Sequence, residues 1–317
     1  MASPSPWELG GLTVPQLGRR VWAEINGDDD VFGRAAELAY FFFLALFPAL
    51  IFATAVLGLM AGPGSELRQS LLDYLARAMP PSASELVRQT LDQTTQASGG
   101  GKLSFGILAA LWSASAGMAA IMDTLNIAYE VEESRPWWKK RSVAIALTIG
   151  VTALTLISLA VILFGGNIAD FVSQHVGLGG ALTVTWKVVQ WPLALVCLSV
   201  VFAMVYYFAP NVEQRTWHWV TPGAVIGMVL WLAASFVFRV YLHFFNSYSA
   251  TYGALGAVII LLLWFYITGL AILIGGEINS VIEDAAAKRG AAEAKEKGEK
   301  TPGEKEERVP LRKRPAA

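Results

Sequence analysis

Acidic and amide side chains at the ends of long apolar runs are the residues in this sequence best placed to do chemistry. Glu37 opens the first run, Asn126 follows Asp123 at the end of the second, Asn211 follows the fourth, and Glu277 with Asn279 ends the last, within GGEIN. Ionisable groups near a bilayer are costly and often line a path for protons, ions or headgroups. Gathered on one side of a membrane, these five residues would form a polar vestibule in which Glu37 or Glu277 takes a proton or meets a substrate headgroup. The competing reading is structural: the acids pair with Arg34 or loop cations and cap helix ends at headgroup level, where a charge costs little. Lys187, Arg239 and His243 form a second set toward the opposite ends of the fourth and fifth runs. They would hold phosphate or lipid headgroups, or simply snorkel to that interface.

Other chemistries lack their residues. His175, His218 and His243 are isolated, and no HxHxD or HExxH spacing supplies a metal-assisted hydrolase. There is no Walker A sequence and no dinucleotide-binding glycine pattern after a strand. The single cysteine, Cys197, lies inside an apolar run, so neither a disulfide framework nor a thiolate metal site is available. The expectation is a protein that is not an enzyme, with no catalytic residues, no metal and no cofactor.

The elements that must position these residues are membrane helices. The 317 residues are 55% hydrophobic and 15% charged, with a mean hydropathy of +0.49, which excludes an ordinary soluble domain. No basic start leads into a short apolar core and cleavage site, so the first span is expected to direct insertion itself. Six apolar runs, at about 35–60, 103–122, 143–164, 188–209, 220–238 and 253–276, are each long enough to cross a hydrocarbon core of about 30 Å. The fold class expected is all-α and polytopic, with a six-helix membrane domain over 35–284.

Residues 1–34 read as an interfacial lead-in, with Thr13 and Pro15 starting a helix that carries Leu17, Val21 and Ile25 on one face. Residues 65–98 read as an outer loop of two short amphipathic helices. Residues 285–317 hold ten Lys/Arg and six Glu with no apolar face, and are expected to be a disordered tail. Pro48 and Pro192 would kink or hinge their helices. Gly223 and Gly227 make a GxxxG, and Tyr252, Gly253, Gly256, Gly275 and Gly276 give the last run a face on which another helix packs closely. Charge orients the bundle: Arg135, Lys139, Lys140 and Arg141 crowd beside Trp137 and Trp138, whereas 165–185 has no Lys or Arg. Both termini are therefore expected in the cytoplasm.

Several of these residues together resemble the YihY/BrkB family of bacterial inner-membrane proteins, once labelled ribonuclease BN. The resemblance rests on Ala39, Tyr40, Phe47 and Pro48; Asn126 with ESRPWWKKR; Tyr207 to Asn211; and Pro222, Gly223 and Ala224. It is strongest over Tyr252, Gly253, the Trp264 region and Gly275 to Asn279. Two departures stand out: Ala45 occupies a place where the family usually has Ser, and Gly276 replaces the Ala of GAEIN. The resemblance implies an inner-membrane protein linked to envelope integrity and lipid movement. Its partners would be the bilayer and a lipid substrate or envelope-complex proteins, with no nucleic acid. The alternatives are a non-transporting scaffold or assembly factor and, remotely, a ribonuclease.

Overall fold

The computed structural model describes residues 6–27, 29–60, 73, 100–176, 181–213, 221–244, 254–291 and 293–302. Among them the regular elements are a 3-10 turn, Pro6–Gly11, and seven α-helices: α1 Val14–Ile25, α2 Val31–Met60, α3 Gly100–Ala128, α4 Trp137–Val176, α5 Ala181–Phe208, α6 Pro222–Phe244 and α7 Ala254–Ala287. The expected amphipathic loop 65–98, Tyr252, Gly253 and the tail beyond 302 lie outside the described residues. So do the side chains of Phe47, Lys187 and His243.

Helices α2 to α7 close a ring. Each packs on the next in chain order, and α7 returns to α2 while also touching α3, α1 and the 3-10 turn. Among the described residues, five of the helices contain stretches long and apolar enough to cross a membrane: Leu108–Ala128, Trp137–Ile162, Val188–Phe208, Pro222–Tyr241 and Val258–Ala287. Helix α2 carries the remaining expected run. Its 30 residues run from Val31 to Met60, and it is not among the five.

One end of the ring holds the packed core. Leu17, Val21 and Ile25 of α1, Leu38 of α2, Met122 and Leu125 of α3, and Ile278, Val281 and Ile282 of α7 are buried together there. Elsewhere Trp191, Val196, Val229, Phe236, Val237 and Ile259 face outward. A helix apolar on every side buries one face in protein and needs lipid for the other.

The close contact of α6 and α7 follows from glycine. A β-carbon on Gly227 would stand 2.9 Å from the Tyr206 hydroxyl and 3.1 Å from the Ala271 carbonyl, and one on Gly275 would stand 2.7 Å from the Gly223 carbonyl. The GxxxG is thus a packing device here. Tyr206 adds a hydrogen bond from its hydroxyl to the Ile272 carbonyl at 2.7 Å. Pro48 and Pro192 both sit inside helices that continue through them.

Several expectations shift. Helix α4 runs from Trp137 to Val176, past the expected 143–164 at both ends, and α5 begins at Ala181 rather than 188, because the residues flanking each apolar run continue its helix. Helix α3 runs to Ala128 rather than stopping at 122, because Thr124, Leu125 and Ala128 are buried and extend its packed face. Helix α7 runs to Ala287, eleven residues beyond the expected 276, because Ile278, Val281, Ile282 and Ala285 repeat at helical spacing against α1 and the 3-10 turn. Residues 293–302, placed in a disordered tail by composition, instead fold back across the core end as a strap. Ion pairs and backbone hydrogen bonds hold it where apolar burial does not.

Candidate functional site

The five vestibule candidates all come to the core end, but they join four separate arrangements. Glu37 pairs with Arg34 at 3.0 Å, one turn away on the exposed start of α2. That is a surface pair of little energetic weight. Asn279 accepts the Gly223 N–H at 2.9 Å, satisfying an otherwise orphaned donor in the first turn of α6.

Asn126 and Asn211 do meet. The buried Asn126 amide donates to Glu133 at 3.1 Å and its oxygen accepts the Asn211 N–H at 2.6 Å. Asn211 donates in turn to the Glu132 carbonyl at 3.0 Å and the Ser134 hydroxyl at 2.9 Å. Arg135 closes the knot, donating from Nε and Nη2 to both oxygens of Glu133 at 2.8 and 2.7 Å and from Nη2 to the Ala209 carbonyl at 2.9 Å. This knot clasps the α3–α4 loop to the end of α5. Burial would raise the Glu133 carboxyl, but its hydrogen bonds from Arg135 bring it below the usual value of 4.5.

Arg135→Ala is expected to destabilise the protein by about 2–4 kcal/mol, since it strips a bidentate partner from a half-buried acid. A depressed carboxyl contributes stability that is full above its ordinary pKa and lost as pH falls through the folded one. The deficit of Arg135→Ala, read by thermal unfolding, should therefore shrink as pH drops below about 4.5.

Glu277 belongs to the fourth arrangement. Its side chain is 1% exposed and faces Lys297 of the strap, whose Nζ lies 3.7 Å away. Three more carboxylates surround the same amine: Glu24 at 3.1 Å, Asp29 at 3.6 Å and Glu130 at 3.7 Å. Four places in the fold supply them: the last turn of α1, the α1–α2 connection, the second residue after the end of α3, and α7. Glu130 holds a left-handed backbone, φ 54°, at a position where glycine would be unstrained. That conformation costs about 1–2 kcal/mol for a side-chain-bearing residue, and it turns the chain so that the Glu130 carboxylate reaches Lys297.

The strap that delivers Lys297 is fastened on both sides. Lys295 ion-pairs with Glu283 and donates to the Glu213 carbonyl at 3.0 Å, and the Lys297 N–H reaches Asp284 at 3.3 Å. The Gly298 N–H donates to the Tyr129 carbonyl at 3.1 Å, and the Glu213 N–H to the Lys300 carbonyl at 2.8 Å. Burial raises the Asp29 carboxyl, a shift that Lys297 opposes and Glu24 and Glu130 reinforce. Burial alone would lower the Lys297 ammonium. Glu277, Asp29 and Glu24 more than reverse this and hold it above 10.5, so it is charged at neutral pH.

Of this cluster, only Glu277 is among the residues singled out from the sequence. Asp29 is not named there, and Lys297 is one of the ten cations of the tail at 285–317. No local periodicity marks a contact between residues so far apart. Of the outer set, Arg239 is exposed on α6. Among the described residues no group of His, Cys, Asp and Glu is arranged to hold a metal ion.

Residues 23–299, from α1 through the strap, match the model of a family described as Virulence factor BrkB. Over 252 residues the chain is 41% identical to a ribonuclease-like protein, YfkH, of Bacillus subtilis strain 168, covering 78% of this chain and 89% of that one. It is 27% identical over 272 residues to UPF0761 membrane proteins of Xanthomonas oryzae and Xanthomonas campestris, covering 83% of this chain. The match spans 60% of the length of those Xanthomonas proteins. No solved structure matches the chain.

Proposed function

We propose, for a chain that belongs to the Virulence factor BrkB family of membrane proteins, a transporter-like role in envelope maintenance. It moves a lipid or another amphipathic envelope component through a six-helix bundle in the bacterial inner membrane, without hydrolysing ATP itself. The observation that carries this reading is Glu277: an acid 1% exposed, on a helix apolar enough to cross a membrane, facing three other carboxylates and a buried lysine. A purely structural bundle gains little from such a cluster, because desolvating charges costs about as much as pairing them returns. Buried ionisable groups in membrane helices are characteristic of ion and substrate pathways.

Orientation supports the same reading. Lys139, Lys140 and Arg141 open α4 at the end that carries the cluster, and basic residues favour the cytoplasmic face. With α2 as the remaining span, both termini are cytoplasmic and the carboxylates face the inner leaflet. The ribonuclease-like name belongs to YfkH. In this chain a nuclease would need an acid/base pair or metal ligands poised on a phosphodiester, and the cluster here is already occupied by a lysine.

Glu277→Gln keeps the shape of the side chain and removes its charge. The variant is expected to reach normal membrane levels and to move fluorescent lipid across reconstituted vesicles severalfold more slowly than the wild type. Unchanged flux in the variant would remove Glu277 from the pathway. Wild-type flux no faster than that of protein-free vesicles, with a stoichiometric partner co-purifying, would replace the transporter by a scaffold for an envelope complex.

A further inference from the structure

Four carboxylates surround one ammonium, more acceptor groups than the three N–H donors of Lys297 can satisfy. Its fit is also loose. Three of the four oxygens lie 3.6 to 3.7 Å from Nζ, beyond the 2.7–3.2 Å of an ordinary N–H···O bond. Asp29 Oδ2 and Glu277 Oε2 are buried without a hydrogen bond, and of the four acids Glu24 alone comes within that range of Nζ, at 3.1 Å. Buried polar atoms are usually satisfied, so the cradle is only partly filled by the side chain that occupies it.

The occupant's chemistry and its attachment both point to a ligand. A lysine ammonium is a primary amine with three donors, and its four acceptors come from elements brought together only by the closed ring. The strap that carries it is neither helical nor part of the apolar core, and a few hydrogen bonds and ion pairs fasten it. One of the four acids, Glu277, stands on α7, a helix long and apolar enough to cross a membrane.

We propose that Glu24, Asp29, Glu130 and Glu277 form a binding site for the primary-amine headgroup of a membrane amphiphile, and that Lys297 occupies it in place of that headgroup. The proposal names the substrate class for the transport reading above and rests on it. Binding of the headgroup displaces Lys297 and frees the strap. A quaternary ammonium has no N–H to give these carboxylates and is a poor substitute.

The test uses the full-length protein in detergent with hexylamine, hexyltrimethylammonium or hexanol. In Lys297→Met, hexylamine is expected to raise the unfolding temperature saturably, while the other two compounds leave it unchanged. In the wild type, hexylamine is expected to accelerate hydrogen exchange of the Gly298 amide, the strap donor to Tyr129. If Lys297→Met does not fold, the wild-type exchange decides alone. A folded Lys297→Met indifferent to hexylamine, or a wild-type strap whose exchange hexylamine leaves unchanged, overturns the site, since protons alone would then compensate the carboxylates.

Nanodiscs distinguish the source of the amine. Faster Gly298 exchange in phosphatidylethanolamine than in phosphatidylcholine supports an amphiphile, whereas a response only to the soluble amine overturns that part. An amine response without lipid flux would leave the site standing and remove the transport reading. Flux without any amine response would do the reverse.

Discussion

Lys297→Met is expected to destabilise the protein by about 3 kcal/mol at neutral pH, roughly a hundredfold in the folding equilibrium. The methionine fills a similar volume, so the loss is electrostatic. Asp29 and Glu277 are then left in a dry site without their cation, while Glu24 and Glu130, each about one third exposed, still reach water. The pH dependence has a definite sign. The Lys297 ammonium is held above 10.5, so its contribution is complete through the neutral range and is lost only in strong alkali. A carboxyl raised by burial, as Asp29 is, favours the folded state most when protonated, and that advantage disappears as pH rises through its folded pKa.

Without the lysine, Asp29 is raised further. The gap between Lys297→Met and wild type should therefore widen with increasing pH between about 5 and 9. Thermal unfolding in detergent across that range measures it, and a gap independent of pH would show that Lys297 acts through packing alone. Adding Glu277→Gln to Lys297→Met should recover part of the loss, because one buried charge fewer is left uncompensated.

Gly275→Val is expected to prevent stable assembly of the bundle, with a cost above about 3 kcal/mol. Its first side-chain carbon would lie 2.7 Å from the Gly223 carbonyl and inside the contact distance of the Tyr206 hydroxyl, so α7 would have to leave α6 and α5 together. Relief by a rotamer change is not available, since one of the obstructing atoms is backbone. Gly18→Ala is the matching control: in α1 an added β-carbon meets nothing within 4 Å. Removing backbone freedom there should stabilise by about 0.4–1 kcal/mol. Folded yield by size exclusion and unfolding temperature separate the two, and a Gly275→Val protein that elutes and melts like wild type would refute the close crossing.

Helices were legible because membrane solvation imposes a one-dimensional rule: a bilayer demands about twenty apolar residues in a row, and each run displays that locally. The helix ends were less legible. Helix α7 continues through Glu277 and Asn279 because Ile278, Val281 and Ile282 pack on α1, a partner more than two hundred residues earlier. The vestibule was legible as a list of polar residues at one end. Its division into a surface pair, a helix-end cap, a loop clasp and a buried carboxylate cluster depends on which side chains meet in space.

The strap shows where composition misleads. KEKGEK has the low hydrophobicity of a solvated tail, and that inference holds only when no complementary charge lies within reach. Here Lys295 and Lys297 find Glu283 and the carboxylate cluster, and the Lys300 carbonyl accepts the Glu213 N–H.

By itself the sequence determined a membrane protein of long apolar helices, with basic residues gathered at one end of the bundle and glycine faces where helices cross, because each depends on neighbours in the chain. Only the tertiary structure decided that Glu24, Asp29, Glu130 and Glu277 share one ammonium. Coulombic pairing in a desolvated site acts over a few ångströms of space, whatever the separation along the chain.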